Sequence, residues 1–257
     1  MNAPDPFDQL DRELDAWLSA GLAATLWWRD DDAGEMSSSL DHLLGLSERH
    51  GIVCGLATVP AWVTDALVAQ LKDATSIEVL QHGYAHVNHA PRGQGLGAWE
   101  LGLHRPLEIV MAELIRGREL LCAKIRGSVL PVVAAPWNRI DPALFEPMVE
   151  AGFVGVSAAD ARRKPYPMPG LLQVNGHCDP IKWKGGARFK GAEKTVSDMV
   201  EHLTARRVGE ADRTEPTGVL THHRDTDDAC WQFLDTLMAR TRAHDAARWL
   251  APSEIWS

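Results

Sequence analysis

Residues 129–137, Val-Leu-Pro-Val-Val-Ala-Ala-Pro-Trp, form the longest apolar stretch of the chain. A continuously apolar run is typical of a parallel strand, because helices cover both faces of a parallel sheet and leave no side for water. The stretch is also far shorter than the roughly 18 residues that a membrane-spanning helix needs. It therefore predicts a buried strand of a parallel sheet, and we expect no membrane partner.

Strand-type and helix-type segments alternate on both sides of this run. Besides the strand at residues 129–135, strands are predicted at residues 25–29, 52–59, 77–81, 153–157, 171–175 and 218–221, with a short eighth candidate at residues 248–250. Helices are predicted between a cap at residues 37–39 and Gly51, and at residues 61–72, 106–126, 143–150, 193–206 and 227–243. Such an alternation over about 250 residues predicts one α/β domain whose parallel strands either close into a barrel or form an open, doubly wound sheet.

The N-terminal segment shows a separate helical pattern. Apolar residues recur at helical spacing from Phe7 to Leu18, and Gly21 follows at a position that favours helix termination. We expect an amphipathic helix that lies outside the main core.

Composition and charge narrow the possible partners. Of the 257 residues, 45% are apolar and 24% are charged, which is usual for a soluble globular protein. The formal net charge is −9, and the Lys and Arg residues are dispersed, which argues against nucleic acid and anionic membranes as partners.

The acidic N-terminal segment lacks the basic and apolar regions of a signal peptide, so a cytoplasmic location is expected. The four cysteines are widely separated and are expected to be free thiols.

Reactive side chains follow five of the predicted strands. In parallel α/β folds the loops at the C-terminal strand ends surround one crevice, so these side chains are expected to meet there. They are Asp30, Asp31 and Asp32 after the first strand, His82 and His86 after the third, Trp137 and Arg139 after the fourth, His177 and Asp179 after the sixth, and His222 and His223 after the seventh. No single motif is specific, and the signal lies in their common placement.

The spacing of His82 and His86 fits a metal site. Two imidazoles four residues apart can reach one ion, and a carboxylate from a neighbouring strand completes a two-His, one-carboxylate set with open positions for water and substrate. An ion in such a set lowers the pKa of bound water to about 7, while a second carboxylate accepts a proton and a His protonates the leaving group. The residues therefore predict a hydrolytic centre with a divalent metal. Zinc is expected, and Co2+, Ni2+ or Fe2+ would also fit.

The order of the motifs resembles that of the polysaccharide deacetylase family, the NodB-homology proteins. The family has Asp-Asp, His-x-x-x-His, Arg-x-Pro-Tyr/Trp, an Asp and Trp loop, and an apolar strand that ends in His. These are matched here by Asp31-Asp32, His82 to His86, Pro136-Trp137, Asp179 with Trp183, and residues 219–222.

The resemblance implies a distorted (β/α)7 barrel. We expect a single polysaccharide-deacetylase-like domain over residues 1–257. Within it, residues 1–22 would be an N-terminal helical extension, residues 24–225 the motif-bearing barrel, and residues 226–257 a C-terminal helix and tail.

The resemblance also implies roles for individual residues. Asp31 would be the general base and His222 the general acid. Asp32, His82 and His86 would bind the divalent metal, usually zinc. The backbone N–H of Trp137 would donate to the oxyanion, and Asp179 and Trp183 would lie at the substrate.

Several assignments stay open at this point. The triple Asp leaves the register open by one residue, so Asp30 with Asp31 is the competing pair. His223 is the alternative acid, and His177 is a further candidate beside Asp179.

One motif departs from the family pattern. Ala134 stands where the family has the Arg that orients the base. Arg29 and Arg139 are the candidates to replace it.

Together these features predict a metal-dependent hydrolase of a carbon–nitrogen bond other than a peptide bond. The leading hypothesis is deacetylation of an N-acetylated sugar or carbohydrate intermediate by metal-activated water. A hydrolase of cyclic amides or ureides is one alternative. A catalytically impaired metal-binding, carbohydrate-binding or regulatory protein on the same fold is another, motivated by Ala134. The expected partner is a small-molecule or oligosaccharide substrate. The sequence does not indicate whether the protein is a monomer or an oligomer.

Overall fold

The architecture is a parallel barrel surrounded by helices. The computed structural model describes residues 5–91, 93–125, 127 and 129–257. The strands of the main sheet are β1 (Ala24–Ala33), β2 (Cys54–Thr58), β3 (Ile77–His82), β4 (Val129–Ala134), β5 (Gly155–Ser157), β6 (Leu172–Gln173), β9 (Thr217–Thr221) and β10 (Ala247–Trp249). They pair in the order β10-β1-β2-β3-β4-β5-β6, with β9 also on β1, and each of these pairings is parallel. An antiparallel hairpin, β7 (Ile181–Lys182) and β8 (Arg188–Phe189), lies outside this sheet.

The barrel closes between strand β9 and the chain that follows β6. An isolated parallel bridge joins Cys178 to Val219. The carbonyl of Gly218 accepts hydrogen bonds from both His177 N (2.8 Å) and Cys178 N (3.0 Å), and Leu220 N donates to Cys178 O (2.8 Å). The doubled contact at Gly218 is a bulge that distorts the closure. Strand β10 pairs only with the first three residues of β1, so the seven strands β1–β6 and β9 form the barrel. The sheet is therefore curled into a barrel rather than open, and the predicted distorted (β/α)7 barrel is confirmed.

The described helices pack around the strands. They are α1 (Asp8–Ser19), α2 (Ser38–His50), α3 (Asp65–Leu71), α4 (Leu107–Lys124), α5 (Phe145–Glu150), α6 (Ala192–Val208), α7 (Asp228–Ala243) and α8 (Pro252–Ile255). The termini predicted for α2 are observed, since Ser37 Oγ accepts from Leu40 N (3.1 Å) and Gly51 ends the helix in the left-handed conformation. The predicted end of α4 at Arg126 lies outside the described residues. None of the helices that the structure describes combines the length and apolar composition of a membrane span.

Alternate strand residues fill the barrel interior. One buried cluster consists of Trp27, Ala57, Leu80, Val132, Ala134, Val174 and Trp256. The rings of Trp27 and Trp256 meet edge to face at 5.3 Å, and Trp256 Nε1 donates to Leu172 O (3.1 Å). The C-terminal segment thereby fills the end of the barrel at which the strands begin.

Helix α1 belongs to the main core. Leu10, Leu14 and Trp17 are buried in the same apolar cluster as Trp28 of β1. The guanidinium of Arg206, on α6, lies 5.1 Å from the Trp17 ring centroid. The expectation that this helix lies outside the main core is wrong, because an apolar stripe shows that a face is buried but not which surface covers it.

Candidate active site

The three consecutive aspartates lie within β1 and not in a turn after it. The strand continues because residues up to Asp30 pair with β9, and Ala33 pairs with Thr58 of β2. The pairing with β2 is irregular between Asp30 and Ala33, and Asp32 has a φ of 68°. Such an irregularity re-aims side chains at a barrel rim. As a result, Asp31 and Asp32 both reach the mouth of the barrel.

Asp32, His82 and His86 converge at this mouth. Asp32 Oδ1 lies 3.2 Å from Nε2 of His82 and 3.2 Å from Nε2 of His86. The two imidazole centroids are 5.2 Å apart. Ligand atoms about 2.0–2.1 Å from a tetrahedral ion lie roughly 3.3 Å from one another, so this spacing fits a divalent metal. These three side chains, called the Asp-His-His group here, could hold a metal ion.

A hydrogen bond sets the orientation of the His82 ring. Its Nδ1 lies 3.0 Å from the carbonyl oxygen of Ala134. Because a carbonyl only accepts, Nδ1 must carry the proton and donate. In the neutral ring, Nε2 then keeps the lone pair that a metal ligand requires.

Mutual charges shift the pKa values of the group. Burial raises the pKa of Asp32, but the hydrogen bond and charge of His82, with the charges of His86 and His222, hold it well below its usual range. Burial lowers the pKa of His82, but Asp31 and Asp32 outweigh this effect and the net pKa is raised. Burial and the charge of His82 lower the pKa of His86. An ionised Asp32 and a neutral His86 are the forms that ligate a cation.

Strained backbone is concentrated near this group. Among the described non-glycine residues, φ is positive at Asp32, His86, Trp137, Asn138 and Asp160. The Trp137 ring lies 4.2 Å from that of His86. Such conformations cost on the order of 1–3 kcal/mol each and persist where the surroundings enforce them, often at functional sites.

A buried carboxylate supports the loop that carries His86. Glu100 Oε1 accepts from the backbone N–H groups of Tyr84 (3.3 Å), Ala85 (2.7 Å) and His86 (3.1 Å). A Cβ at Gly83 would lie 2.0 Å from Glu100 Oε2, and Gly83 has a φ of 56°, so only glycine permits this approach. Burial raises the pKa of Glu100, and the hydrogen bonds from Ala85 and Tyr84 oppose that rise. Glu100 thereby holds the backbone of the loop in place.

Arg29 orients the carboxylate of Asp31. Its Nη2 donates a hydrogen bond to Oδ2 of Asp31 (2.9 Å), and its Nε lies 2.9 Å from Oδ1, so the contact is bidentate although only the first of the two is a hydrogen bond. Its Nη1 donates to Ser157 Oγ (2.6 Å) and Ala158 O (3.1 Å), and its Nη2 also donates to Asn138 Oδ1. The arginine is fully buried, so these contacts leave it little freedom.

His222 faces the same carboxylate from the end of β9. Its Nε2 lies 3.9 Å from Asp31 Oδ2, and the Trp183 ring stands edge-on to its imidazole at 4.6 Å. Trp183 Nε1 and Ile181 N donate to the two oxygens of Asp179, each at 2.8 Å. Burial raises the pKa of Asp179, and the charge of His222 opposes that rise. The predicted residues Asp179, Trp183 and His222 therefore form one wall of the mouth.

Asp30 and His223 pair on the other side of β1. The Nδ1 of His223 is hydrogen-bonded to Asp30 Oδ1, while His223 N (2.9 Å) and Thr221 Oγ1 (2.6 Å) donate to Asp30 Oδ2. Trp28, which belongs to the outer core, donates through Nε1 to Thr221 Oγ1 (2.8 Å). These two alternative site residues are thus buried between the barrel and its helices, apart from the Asp-His-His group.

Comparisons with known proteins identify the fold. No family model and no curated protein matches the chain. The chain is similar to a proposed polysaccharide deacetylase from Mycobacterium smegmatis, with a TM-score of 0.64, 16% identity, and coverage of 84% of this chain and 74% of that chain. The chain has the polysaccharide deacetylase fold.

Two further solved structures have this polysaccharide deacetylase fold. One is a mutant of a CE4 family pseudoenzyme from Bacillus anthracis with restored enzymatic activity, with a TM-score of 0.56, 15% identity, and coverage of 92% of this chain and 68% of that chain. The other is a peptidoglycan N-acetylglucosamine deacetylase, with a TM-score of 0.54, 12% identity, and coverage of 94% of this chain and 95% of that chain.

Arg139 does not reach Asp31 in this version of the polysaccharide deacetylase fold. Its Nη1 donates to Leu96 O (2.8 Å), and its guanidinium lies 5.6 Å from the centroid of the Trp99 ring. Of the two arginines considered as replacements for the family Arg, Arg29 is therefore the one that contacts Asp31.

His177 belongs to a second His-His-carboxylate group, with His202 of α6 and Glu215. Its Nδ1 accepts from Gly218 N (2.8 Å), and its Nε2 lies 3.5 Å from Glu215 Oε1. The two imidazoles stack face to face with centroids 3.5 Å apart, so their in-plane nitrogen lone pairs lie in two nearly parallel planes and are poorly placed to point at one ion. Burial, together with the charges of His177 and Arg206, lowers the pKa of His202 to about 2. This group fits the packing of neutral rings better than metal binding.

Sequence reasoning missed Glu100, and it placed Asn138 at the end of the fourth strand without a role. Glu100 lies in a glycine-rich loop with no motif, where nothing in the pattern marks it as buried. The signal that could have found it is the tight loop itself, because consecutive backbone N–H groups of such a loop need an acceptor when buried. Asn138 directly follows the predicted Trp137, but its contact with Arg29 depends on how two distant strands are placed in the barrel.

Proposed function

We propose that the chain is a metal-dependent hydrolase of the polysaccharide deacetylase family that removes the N-acetyl group from an N-acetylated sugar or carbohydrate intermediate. The proposal rests on one observation. The Asp-His-His group, the carboxylate of Asp31 and the imidazole of His222 converge at the mouth of this barrel. Amide hydrolysis needs activation of water and carbonyl, a base for the water and an acid for the amine. The mouth has a candidate for each of these functions.

Asp32, His82 and His86 would hold the cation, for which we propose zinc. Two imidazole nitrogens and one carboxylate oxygen leave coordination positions for water and substrate. The Asp32 and His86 side chains keep exposed fractions of 21% and 15%, so the group is open to the cleft, as a catalytic site must be. When bound, the cation would activate water and polarise the amide carbonyl.

Asp31 is positioned to accept the proton of the attacking water. It is adjacent to Asp32 in the chain, and the bidentate contact with Arg29 prevents its carboxylate from turning. A base must lie within hydrogen-bond reach of its proton, so a fixed carboxylate beside the nucleophile is effective. Arg29 thus supplies the support that the resemblance would place at Ala134.

His222 is positioned to protonate the leaving amine. Its Nε2 lies across the mouth from Asp31 Oδ2, at 3.9 Å, and the edge-on Trp183 ring restricts its rotation. The proton that Asp31 removes from water is balanced by the proton that His222 gives to the amine nitrogen. The net reaction converts the amide and one water into acetate and a free amine.

Trp137 and Trp183 supply further contacts to substrate. The strained φ of 53° at Trp137 and its ring contact with His86 fix this peptide beside the Asp-His-His group, where we propose its N–H as a donor to the oxyanion. Trp183 is 47% exposed and held by Asp179, so its ring offers a surface for a sugar.

Metal content and acetate release test the proposal. Protein washed free of loose ions and supplied with zinc should hold about one ion per chain at a three-ligand site of this kind. It should release acetate from N-acetylglucosamine or its oligomers, and cyclic amides and ureides would be assayed beside them. His86→Ala should lose both the ion and turnover. His89→Ala, a histidine of the same loop outside the Asp-His-His group, should keep both.

A His86→Ala protein with full metal content and activity would overturn the site. Metal binding without hydrolysis of any of these amides would favour a binding protein instead. Ala134 motivates that alternative, and the contact between Arg29 and Asp31 argues against it.

A further inference from the structure

A large cavity of about 700 Å3 lies beside the candidate site. Part of its wall is apolar and includes the rings of Trp99 and Phe145. Its charged lining residues are Arg139, Arg162, Arg163, Lys164 and Asp160. Four cations and one acid therefore line a single cavity in a chain whose net charge is −9. We call it the cationic cavity.

Most of this positive charge is not neutralised within the described part of the chain. Arg162 is paired with Asp212 at 2.9 Å and also donates to Gln173 O (2.7 Å), so it is committed to the fold. Arg139, Arg163 and Lys164 have no carboxylate within ion-pair distance among the described residues. Arg163 and Lys164 are exposed.

Arg139 is held in place without a counter-charge. Its Nη1 donates to Leu96 O (2.8 Å), and its guanidinium lies over the Trp99 ring. A guanidinium fixed by one nitrogen can still present its remaining N–H groups to an oxyanion in a bidentate manner. It is therefore preorganised for an anion.

The cationic cavity adjoins the proposed reaction site. A smaller cavity of about 330 Å3 shares Asn138, Ala159 and Asp160 with it and is also lined by Asp179 and Trp183. Asn138 accepts a hydrogen bond from Arg29, the residue that orients Asp31. The two cavities meet at Asn138, Ala159 and Asp160, so a molecule bound beside Asp179 and Trp183 in the smaller cavity can extend into the cationic cavity.

We propose that the cationic cavity binds an anionic group, a phosphate or a carboxylate, carried by the sugar whose N-acetyl group is removed at Asp31 and His222. This inference rests on the proposed function and names the substrate class of the same site. Arg139, Arg163 and Lys164 contact the anionic group, and the Trp99 side of the cavity accepts the apolar face of the sugar.

Hydrolysis of matched substrates tests the proposal. With zinc-supplied protein, KM would be compared for N-acetylglucosamine, N-acetylglucosamine 6-phosphate and N-acetylmuramic acid, which are neutral, a phosphate and a carboxylate. We expect KM for at least one anionic sugar to be about tenfold lower than for the neutral one, as charge-assisted hydrogen bonds in a partly exposed cleft would give. The double variant Arg163→Gln/Lys164→Gln should lose that difference. Arg12→Gln/Arg242→Gln, two exposed cations outside the cavity, should keep it.

Binding of non-acetylated sugars separates this inference from the proposed function. Calorimetric titration with glucosamine, glucosamine 6-phosphate and muramic acid requires no turnover. Tighter binding of an anionic sugar that is lost in Arg163→Gln/Lys164→Gln would support the cavity even if no acetylated sugar is hydrolysed, in which case only the deacetylase proposal fails. Equal KM and equal affinity for all three sugars, or binding of none, would overturn the inference, and hydrolysis at equal KM would leave the deacetylase proposal standing.

Discussion

Asp30 and Asp31 are adjacent in the sequence and both buried, yet they serve opposite sides of β1. Asp31 is held by Arg29 and faces His222 at the mouth, whereas Asp30 pairs with His223 behind the strand. Because strand side chains alternate between faces, one residue of register decides which carboxylate reaches the cleft. Each of the adjacent pairs Asp30-Asp31 and His222-His223 therefore contributes one residue to the candidate site and one to the buried structure behind it.

Exchange of each aspartate for asparagine tests most directly whether Asp30 and Asp31 have different roles. Asp31→Asn should lower kcat by about 10²–10⁴-fold, the usual contribution of a general base, and should also lower the free energy of unfolding, because the buried Arg29 loses its counter-charge. Asp30→Asn should lower the free energy of unfolding by roughly 1–3 kcal/mol, because it weakens a buried hydrogen-bond network, but should keep most of the activity. Acetate release and urea denaturation measure the two effects. If Asp30→Asn were the inactive variant, the register assigned to β1 would be wrong.

Substitutions at His222 and His223 should likewise affect activity and stability separately, with a smaller loss of kcat. His222→Ala should lower kcat by about 10²–10³-fold through loss of the general acid, and a substrate with a better leaving group should recover part of it. His223→Ala should leave kcat within a few-fold while it destabilises the fold, since Asp30 loses its ring partner. Steady-state kinetics on both variants measure these effects. Equal losses of activity would show that His222 and His223 do not have different roles.

Arg29→Lys alters the contacts that hold Asp31 and leaves those of Asp30 unchanged. Lysine keeps the charge but cannot form the bidentate contact or reach Ser157 and Asn138 at once. We expect kcat to fall by about 10–100-fold through misplacement of the base, with zinc content and the pairing of Asp30 unaffected. Activity and elemental analysis of the same preparation would show this. Loss of zinc in Arg29→Lys would mean that the arginine supports the Asp-His-His group instead.

Glu100→Gln extends the comparison to a third buried carboxylate, with the smallest expected effect. Glutamine keeps the shape, but a neutral oxygen accepts the three backbone N–H groups of residues 84–86 more weakly. We expect zinc affinity to fall by about 10-fold, as for other changes just outside a ligand set. Competition with a chromophoric chelator measures it, and Glu108→Gln on the first turn of α4 is the control. Unchanged affinity in Glu100→Gln would show that the loop keeps its shape without this charge.

Much of the fold could be predicted from the sequence because its signals are local. The apolar run at residues 129–135, the Ser37 cap and the Gly51 terminus each depend on a few neighbouring residues, and the structure has the corresponding elements. The surface that covers the apolar face of α1 could not be predicted, since it includes α6, which is distant in the sequence. The same holds for the hairpin β7–β8, whose strands are too short to show a pattern.

For the candidate site, too, some features could be predicted from the sequence and others depend on the three-dimensional structure. The order of motifs placed the Asp-His-His residues, Asp31 and His222 at one end of the strands, and the structure brings these side chains together. The sequence does not fix the register of the triple Asp, because that register depends on a local irregularity in β1 that composition does not reveal. Roles for these side chains remain predictions that the variants above address.

The position of Trp256 inside the barrel has a consequence for synthesis of the chain. Trp27, near the beginning, packs against Trp256, near the end, and β1 lies between β2, β9 and β10. Strand β1 therefore stays unpaired on one side until β9 and β10 have been synthesised, and non-local pairing of this kind makes folding slow. Until then β1 is an unpaired apolar strand in the nascent chain, and such exposed strand edges favour aggregation.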